Sequence, residues 1–215
     1  MIVVHHLNNS RSQRVLWLLE ELGIEYEIKF YERDQKTMLA PTSLREVHPL
    51  GKSPVITDAG ETIAESGAII EYIIKRYGNG RLIPPSGTPE RLRYTYWLHY
   101  AEGSAMPPLV MNLIFKHFGA GDSSANDTFI APQIKLHFDY IESELSKSTW
   151  FVGEEFTAAD IQMSFPLESA AMQAELIDSR PKIQQFVERI HARPAYKRAT
   201  ERGGRYDYAR ATSSH

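Results

Sequence analysis

The sequence predicts an α/β half built on a four-stranded mixed sheet with three helices, followed by an all-α half. Three observations predict it. Short β-branched runs alternate with helical apolar stripes as far as Tyr77. The composition then turns to Gly, Pro and Ser over GNGRLIPPSGTPE. Beyond that stretch no strand pattern recurs. The boundaries fall at 1–79 for the first domain, 80–88 for a linker, 89–202 for the helical domain and 203–215 for a polar tail. A chain of 215 residues has room for one large or two small domains.

Each element has a local reason. Ile2 to His5 is a β-branched run and reads as a strand. Ser10 to Leu22 reads as a helix, with Val15, Leu18, Leu19 and Leu22 at i, i+3, i+4 and i+7 and Gly23 as the stop. Tyr26 to Phe30 is the second strand, and the pair forms a right-handed βαβ unit. Residues 35–47 form a short helix or an irregular connection. Pro54 opens a third strand, Ala59-Gly60 turns the chain, and a fourth strand runs to Ile63. The helix Gly67–Tyr77 buries Ile69, Ile70, Ile73 and Ile74. In the second half, Pro89–Phe118 reads as a long helix kinked at Pro107-Pro108. A polar loop, Gly119–Asn126, follows. Asp127–Leu145 is the next helix, marked by Ile130, Ile134, Phe138, Ile141 and Leu145. Thr157 and Asp160 have capping-box spacing and open a helix that contains Pro166. Ile183, Phe186, Val187 and Ile190 mark a further helix.

Composition removes several function classes. There is no cysteine, so disulfides, a protein thiol nucleophile and a thiolate metal site are excluded. No apolar run approaches the about 20 residues needed to cross a bilayer. The opening MIVVHHLNNSR lacks a signal-peptide layout, which makes the cytoplasm the expected location. A formal charge of -3 makes no case for nucleic-acid binding. His5 and His6 are adjacent in a strand and face opposite ways, so they do not form a joint metal site.

Two corners carry chemistry. In the first, GKSPVITDAGETIAESGAIIEYIIKRY, Pro54 stands where a strand tolerates a missing N–H. A cis Ser53–Pro54 bond would turn Ser53's backbone toward a ligand. Ser66 suits a helix N-cap, and the amides after it attract an anion. Glu65 beside it can accept from an ammonium group. Together the two suit an α-amino acid zwitterion; the alternative is a capping Ser66 beside a solvated Glu65. In the second corner, SRSQR, Ser10 and Gln13 have capping-box spacing. The Ser10 hydroxyl lies at the positive end of a helix dipole and at the end of the first strand, where open α/β sheets bind ligands. A substrate thiol has an ordinary pKa near ~8.5. A hydrogen bond to its anion contributes about 1.5–3 kcal/mol and the dipole up to about 1–2 kcal/mol. Those terms lower it by roughly one to three units. Ser10 would act as a donor with no covalent intermediate. The alternative is simple N-capping, and one hydroxyl can do both.

The segments NNSRSQRVLWLLEELGIEYE, HPLGKSPVI, ESGAIIEYI and WFVGEEFTAADI, in this order, resemble the cytosolic glutathione S-transferases. The look is that of serine-type bacterial and fungal members without a settled class. The resemblance implies a thioredoxin-like first domain, an all-helical second domain and an electrophile cleft between them. It implies an enzyme that conjugates glutathione, its co-substrate, to hydrophobic electrophiles as a homodimer, without metal, nucleic acid or membrane partner. By motif match Ser10 stabilises the thiolate, with Asn9 and Ser12 as alternatives. Ser53 precedes the family's cis-proline, here Pro54, and pairs with the cysteinyl part. Glu65 and Ser66 hold the γ-glutamyl group, and Lys52 meets the glycine carboxylate. Tyr100, Met106, Leu109, Val110 and Leu113 are the expected electrophile pocket. Glu102 stands where an acidic residue reaches the partner subunit's glutathione. The tail, with Tyr206 and Tyr208, either folds over the cleft or stays loose. The sequence departs from the tyrosine-type classes, having no tyrosine at the activating position, and from the cysteine-type classes. Glutathione-dependent peroxide reduction and a non-enzymatic binding module are the alternative functions.

Overall fold

The computed structural model describes residues 1–117 and 126–210. These fall into two compact units, one of residues 1–83 with 190–210, the other of residues 84–189. The segment 190–202, expected with the helical half, therefore belongs to the first unit, as does 203–210 of the expected tail.

The first unit is built on a four-stranded sheet in the order β2-β1-β3-β4. Strand β1 (Ile2–Leu7) pairs in parallel with β2 (Tyr26–Tyr31) and antiparallel with β3 (Val55–Asp58), which pairs antiparallel with β4 (Glu61–Ala64). The register sets Val4 opposite Ile28 on one side and Ile56 on the other. A central strand is covered on both faces, which is why β1 is almost wholly apolar or buried. The turn between β3 and β4 has Ala59 at φ 51° and Gly60 at φ 87°. Two positive φ values are what a two-residue hairpin loop requires.

Helix α1 (Ser12–Leu22) links the parallel strands and stops at Gly23, whose φ of 64° is left-handed and whose N–H caps the Glu20 and Leu19 carbonyls. Its expected stripe is buried, but so are Leu16 and Trp17. The reason is a helix the sequence pattern did not single out, α9 (Pro194–Gly203), which lies along α1. Trp17 packs edge-on to Tyr196 at 5.2 Å between ring centroids. Arg193 pairs with Glu21 at 2.6 Å, while Arg198 and Arg202 pair with Glu20 at 2.8 and 2.9 Å. These ion pairs explain why the polar helix joins the first unit. Residues 35–47 contribute one 3-10 turn, Thr42–Glu46, which buries Leu44 against Leu7 and Tyr31. Helix α2 (Ser66–Tyr77) buries its four isoleucines as expected.

In the second unit the expected long helix is divided. Helix α3 (Pro89–Tyr100) passes through a π turn, Ala101–Ala105, into α4 (Met106–His117). The Met106 N–H reaches back to the Ala101 carbonyl. Pro107 and Pro108 supply no N–H to the preceding turn, and the widened turn absorbs that loss. Phe118 and nearly all of the expected polar loop lie outside the described residues. A second π turn, Asn126–Ile130, leads into α5 (Ala131–Leu145), whose Ile134, Phe138, Ile141 and Leu145 are buried. Helix α6 (Ala158–Ala171) is buried nearly all round, so it shows no apolar stripe. A short α7 (Ala174–Ile177) and α8 (Pro181–Ala192) follow, with Ile183, Phe186, Val187 and Ile190 buried. Among the described residues no helix is long and apolar enough to cross a membrane.

The start of α6 is a buried polar joint. Asp160 accepts from the Thr157 N–H at 2.8 Å, the Thr157 hydroxyl at 3.1 Å and the Phe151 N–H at 2.9 Å. Burial outweighs these bonds and pushes its carboxyl up to about 6. A folded pKa above the unfolded one favours folding at low pH, and that gain is lost as pH rises through about 6. Asp160→Ala should lower unfolding free energy at neutral pH by about 2 kcal/mol or more, because three donors lose their acceptor. Urea midpoints at a series of pH values check this. The parent should gain stability from this site between about pH 6 and pH 4, and the variant should not.

Candidate active site at the end of the first strand

The site is the junction where β1 ends and α1 begins. Asn9 takes a left-handed φ of 49° and breaks the strand direction. The next residues deliver two hydroxyls to the start of α1. Ser10 is 3% exposed and Ser12 fully buried. Helix α1 starts at Ser12 with Arg11, not the expected Ser10, at its N-cap and no side-chain cap; the Ser10 hydroxyl, one residue earlier, accepts from the Ser12 N–H at 3.2 Å. The Gln13 side chain does not complete the expected capping box and turns instead toward Thr200 at 3.5 Å.

The Ser10 hydroxyl also lies 2.7 Å from the Ser12 Oγ and 3.4 Å from the Ser53 Oγ. Ser53 donates to the His5 carbonyl at 3.1 Å, and the Ser53–Pro54 bond is cis. Pro54 is buried and Lys52 exposed. The second corner meets the first through Arg14. This buried guanidinium donates to the Ser66 hydroxyl at 2.9 Å, tying the first turn of α1 to that of α2. Ser66 begins α2, and Glu65 precedes it at φ 69°, ψ 122°. A carboxylate residue held at positive φ without a glycine is strained backbone, and such positions cluster at functional sites. The Glu65 side chain is exposed.

The alternatives to Ser10 have other partners. Asn9 donates to Asp207 at 2.7 Å and accepts from the Asp207 N–H at 2.9 Å. The Ser12 hydroxyl faces inward to His6 Nδ1 at 2.9 Å and the Leu7 carbonyl at 3.3 Å. Burial pulls the His6 imidazole down to about 4, against a weaker bond to the Gly203 backbone. His5, on the opposite face of β1, meets the Tyr31 hydroxyl at 3.0 Å. The tail folds onto the first unit: Tyr206 is buried, its ring lies 5.3 Å from that of Tyr208, and Asp207–Arg210 makes a 3-10 turn.

In the second unit Tyr100, Met106 and Leu109 are buried, Val110 is half-buried and Leu113 is exposed. The Tyr100 hydroxyl meets His137 Nδ1 at 2.7 Å. A cavity of about 230 Å³ is lined by Gly103, Ser104, Pro107, Pro108, Met111, Phe129, Ile130, Gln133 and His137. None of Tyr100, Met106, Leu109, Val110 and Leu113 lines this cavity. Glu102 lies half-buried in the π turn Ala101–Ala105. Arg14, His6 and Asp207 were not singled out from sequence. Arg14 had a signal, since its i, i+4 relation to Leu18 places it on the buried stripe of α1.

Two family models match this chain. "Glutathione S-transferase, N-terminal domain" matches residues 1–75, and "Glutathione S-transferase, C-terminal domain" matches residues 123–194. The chain belongs to the glutathione S-transferase family. It is 36% identical to glutathione S-transferase 3 of Schizosaccharomyces pombe, over 94% of this chain and 88% of that protein. It is 30% identical to glutathione S-transferase 1 of Saccharomyces cerevisiae, over 94% and 95% of the two chains. A crystal structure of a glutathione S-transferase from Actinobacillus pleuropneumoniae superposes with a TM-score of 0.89 at 37% identity, covering 98% of this chain and 96% of that one. A glutathione transferase from Phanerochaete chrysosporium, solved with oxidised glutathione, shares the fold at 24% identity and a TM-score of 0.79, over 94% and 96% of the chains.

The Arg14–Ser66 bond can be measured directly. Arg14→Met should cost about 1–3 kcal/mol, the range for a buried polar group that loses a charged partner. Ser66→Ala should cost a similar amount. The double variant should fall short of the sum, and a double-mutant cycle in urea reads the coupling.

Proposed function

We propose that this glutathione S-transferase family member binds glutathione at the end of β1 and holds its sulfur as a thiolate beside the Ser10 hydroxyl. The thiolate then attacks small apolar electrophiles, by substitution on an aryl halide or addition to an activated alkene. The observation that carries this reading is the approach of the Ser10 and Ser53 hydroxyls to 3.4 Å at the cis Ser53–Pro54 corner. A thiol at that corner meets a hydroxyl donor and the positive end of α1 together. Ser53's backbone takes the cysteinyl unit. Glu65 takes the ammonium of the γ-glutamyl group, and Ser66 with the first amides of α2 takes its carboxylate. The exposed Lys52 meets the glycine carboxylate. Bound this way, glutathione loses little affinity when Ser10 is removed, because its charges are held elsewhere. Apolar residues around the π turn of the helical unit supply the electrophile pocket, and such surfaces accept varied shapes.

The protein acts as a homodimer in this reading. Leu92 and Tyr96 on α3 and Leu136 and Tyr140 on α5 are all exposed, Leu92 by 75% and Leu136 by 61%. Tyr96 and Tyr140 both pack against Trp97, at 5.1 and 5.7 Å between ring centroids, so the two helix faces meet in one patch. Patches of this kind mark association surfaces.

Ser10→Ala should raise the pKa of enzyme-bound glutathione by roughly one to two units and lower turnover about ten-fold or more. Its glutathione affinity should change little. Ultraviolet absorbance of the thiolate across pH reads the first, and binding calorimetry reads the last. An unchanged thiol titration would reject Ser10. Parallel assays with an aryl halide and an organic hydroperoxide separate conjugation from peroxide reduction. Leu92→Asp with Leu136→Asp should shift the sedimentation mass from two chains toward one.

A further inference from the structure

Behind Ser10 lies a line of polar groups that helix capping does not require. The Ser10 Oγ is 2.7 Å from the Ser12 Oγ, which is 2.9 Å from His6 Nδ1. The other end of the imidazole faces Gly203, where a Cβ would come within 3.4 Å of His6 Nε2. In the tautomer with its proton on Nε2, toward the Gly203 backbone, the imidazole keeps a bare Nδ1 facing Ser12. Neutral His6 therefore offers Nδ1 as an acceptor.

The direction of every proton in the line follows. Ser12 donates to Nδ1, so Ser10 donates to Ser12, and a thiol arriving at Ser10 meets an oxygen lone pair. Ser12's contacts with the Leu7 N–H and carbonyl are longer, at 3.3 Å each. A thiolate requires the opposite order. Ser10 must then donate to sulfur and Ser12 to Ser10, and Nδ1 must carry a proton to donate to Ser12. If Nδ1 stays bare, two lone pairs confront each other across a buried contact.

We propose that the proton leaving glutathione's thiol passes through Ser10 and Ser12 to Nδ1 of His6. This rests on the reading of Ser10 given above. The S–H bond breaks and Ser10 Oγ takes that proton. Ser10 gives its own proton to Ser12 Oγ, and Ser12 gives its own to Nδ1. Both hydroxyls are regenerated, the electron pair stays on sulfur, and one S–H bond is exchanged for one N–H bond. His6 touches no substrate atom and acts through the two serines. Facing it are Ser12 of α1, Phe30 of β2 and the Gly203 backbone of α9, none of them charged. Lys29 of β2 acts on His5 rather than on His6. Burial keeps the imidazole neutral in the free protein, and the thiolate supplies the opposite charge that its protonated form otherwise lacks. After aryl substitution the proton is released to water as product leaves; after alkene addition it replaces the one the carbanion takes.

The test is a nitrogen NMR titration of His6 in the full-length protein, alone, with glutathione and with S-methylglutathione. His6 should be neutral in the free protein and with the methylated ligand, and protonated with glutathione wherever thiolate absorbance is present. Thiolate absorbance over a neutral His6 overturns the proposal. Kinetics give a second readout. His6→Gln keeps a donor toward Gly203 and removes the acceptor facing Ser12; His6→Asn keeps that acceptor but cannot hold a proton. Both, and Ser12→Ala, should raise the bound thiol's pKa by about one unit and lower kcat at neutral pH roughly ten-fold, with KM for glutathione within about two-fold and activity recovering as pH rises. If His6→Asn matches the parent, His6 only holds Ser12 in place and the relay is rejected. Ser10→Ala is run alongside. If it too leaves the thiol titration unchanged, the Ser10 reading fails; if it alone changes the titration, only the relay fails.

Discussion

Buried polar groups must find partners inside the protein, and that requirement organises the first unit. His6, Ser10, Ser12 and Arg14 lie within nine positions of one another, and all are buried. An unsatisfied group among them would cost about 1–3 kcal/mol. Ser12 finds its partners within the segment, at Ser10, His6 and Leu7, and the other three meet different segments: Ser10 meets Ser53, Arg14 meets Ser66 and His6 lies against Gly203. The bonds that satisfy these groups therefore fix three distant stretches of chain at one corner. Stability and ligand geometry share the same contacts here.

Much of this was legible in the sequence, for identifiable reasons. Helix α2 declared itself because Ile69, Ile70, Ile73 and Ile74 face one side only. The hairpin declared itself through Pro54 and Ala59-Gly60, residues whose backbone preferences are strong. The capping box at Thr157 and Asp160 is local, and local chemistry reads well. Helix α9 did not read as a separate element, because its burial depends on Trp17 and its ion pairs on Glu20 and Glu21, all more than 170 positions away. The break at Ala101–Ala105 was read slightly too late, at the prolines themselves. Their missing N–H groups are felt one turn earlier, in the carbonyls that lack donors.

The site divides the same way. The start of α2 was found by position to within one residue: Ser66, expected as its N-cap, is its first residue, and Glu65 holds the cap position. Residues whose role depends on a remote partner were not. Arg14 was given no role, and His6 was read as a strand residue beside another histidine. The cavity of the helical unit is lined by Pro107, Pro108 and Met111, which follow the π turn and were not among the residues expected to line a pocket. A widening of one turn changes which side of every later residue faces inward, and nothing in the period of the pattern announces it.

The return of residues 190–210 to the first unit has a consequence for biosynthesis. The sheet, α1 and α2 leave the ribosome early, yet the helix that covers Trp17 follows only after the whole intervening unit. The intervening unit, continuous from 84 to 189, can complete its fold first. During translation the nascent amino-terminal sheet must therefore wait with one flank of α1 open to solvent, a window in which holding chaperones have apolar surface to grip.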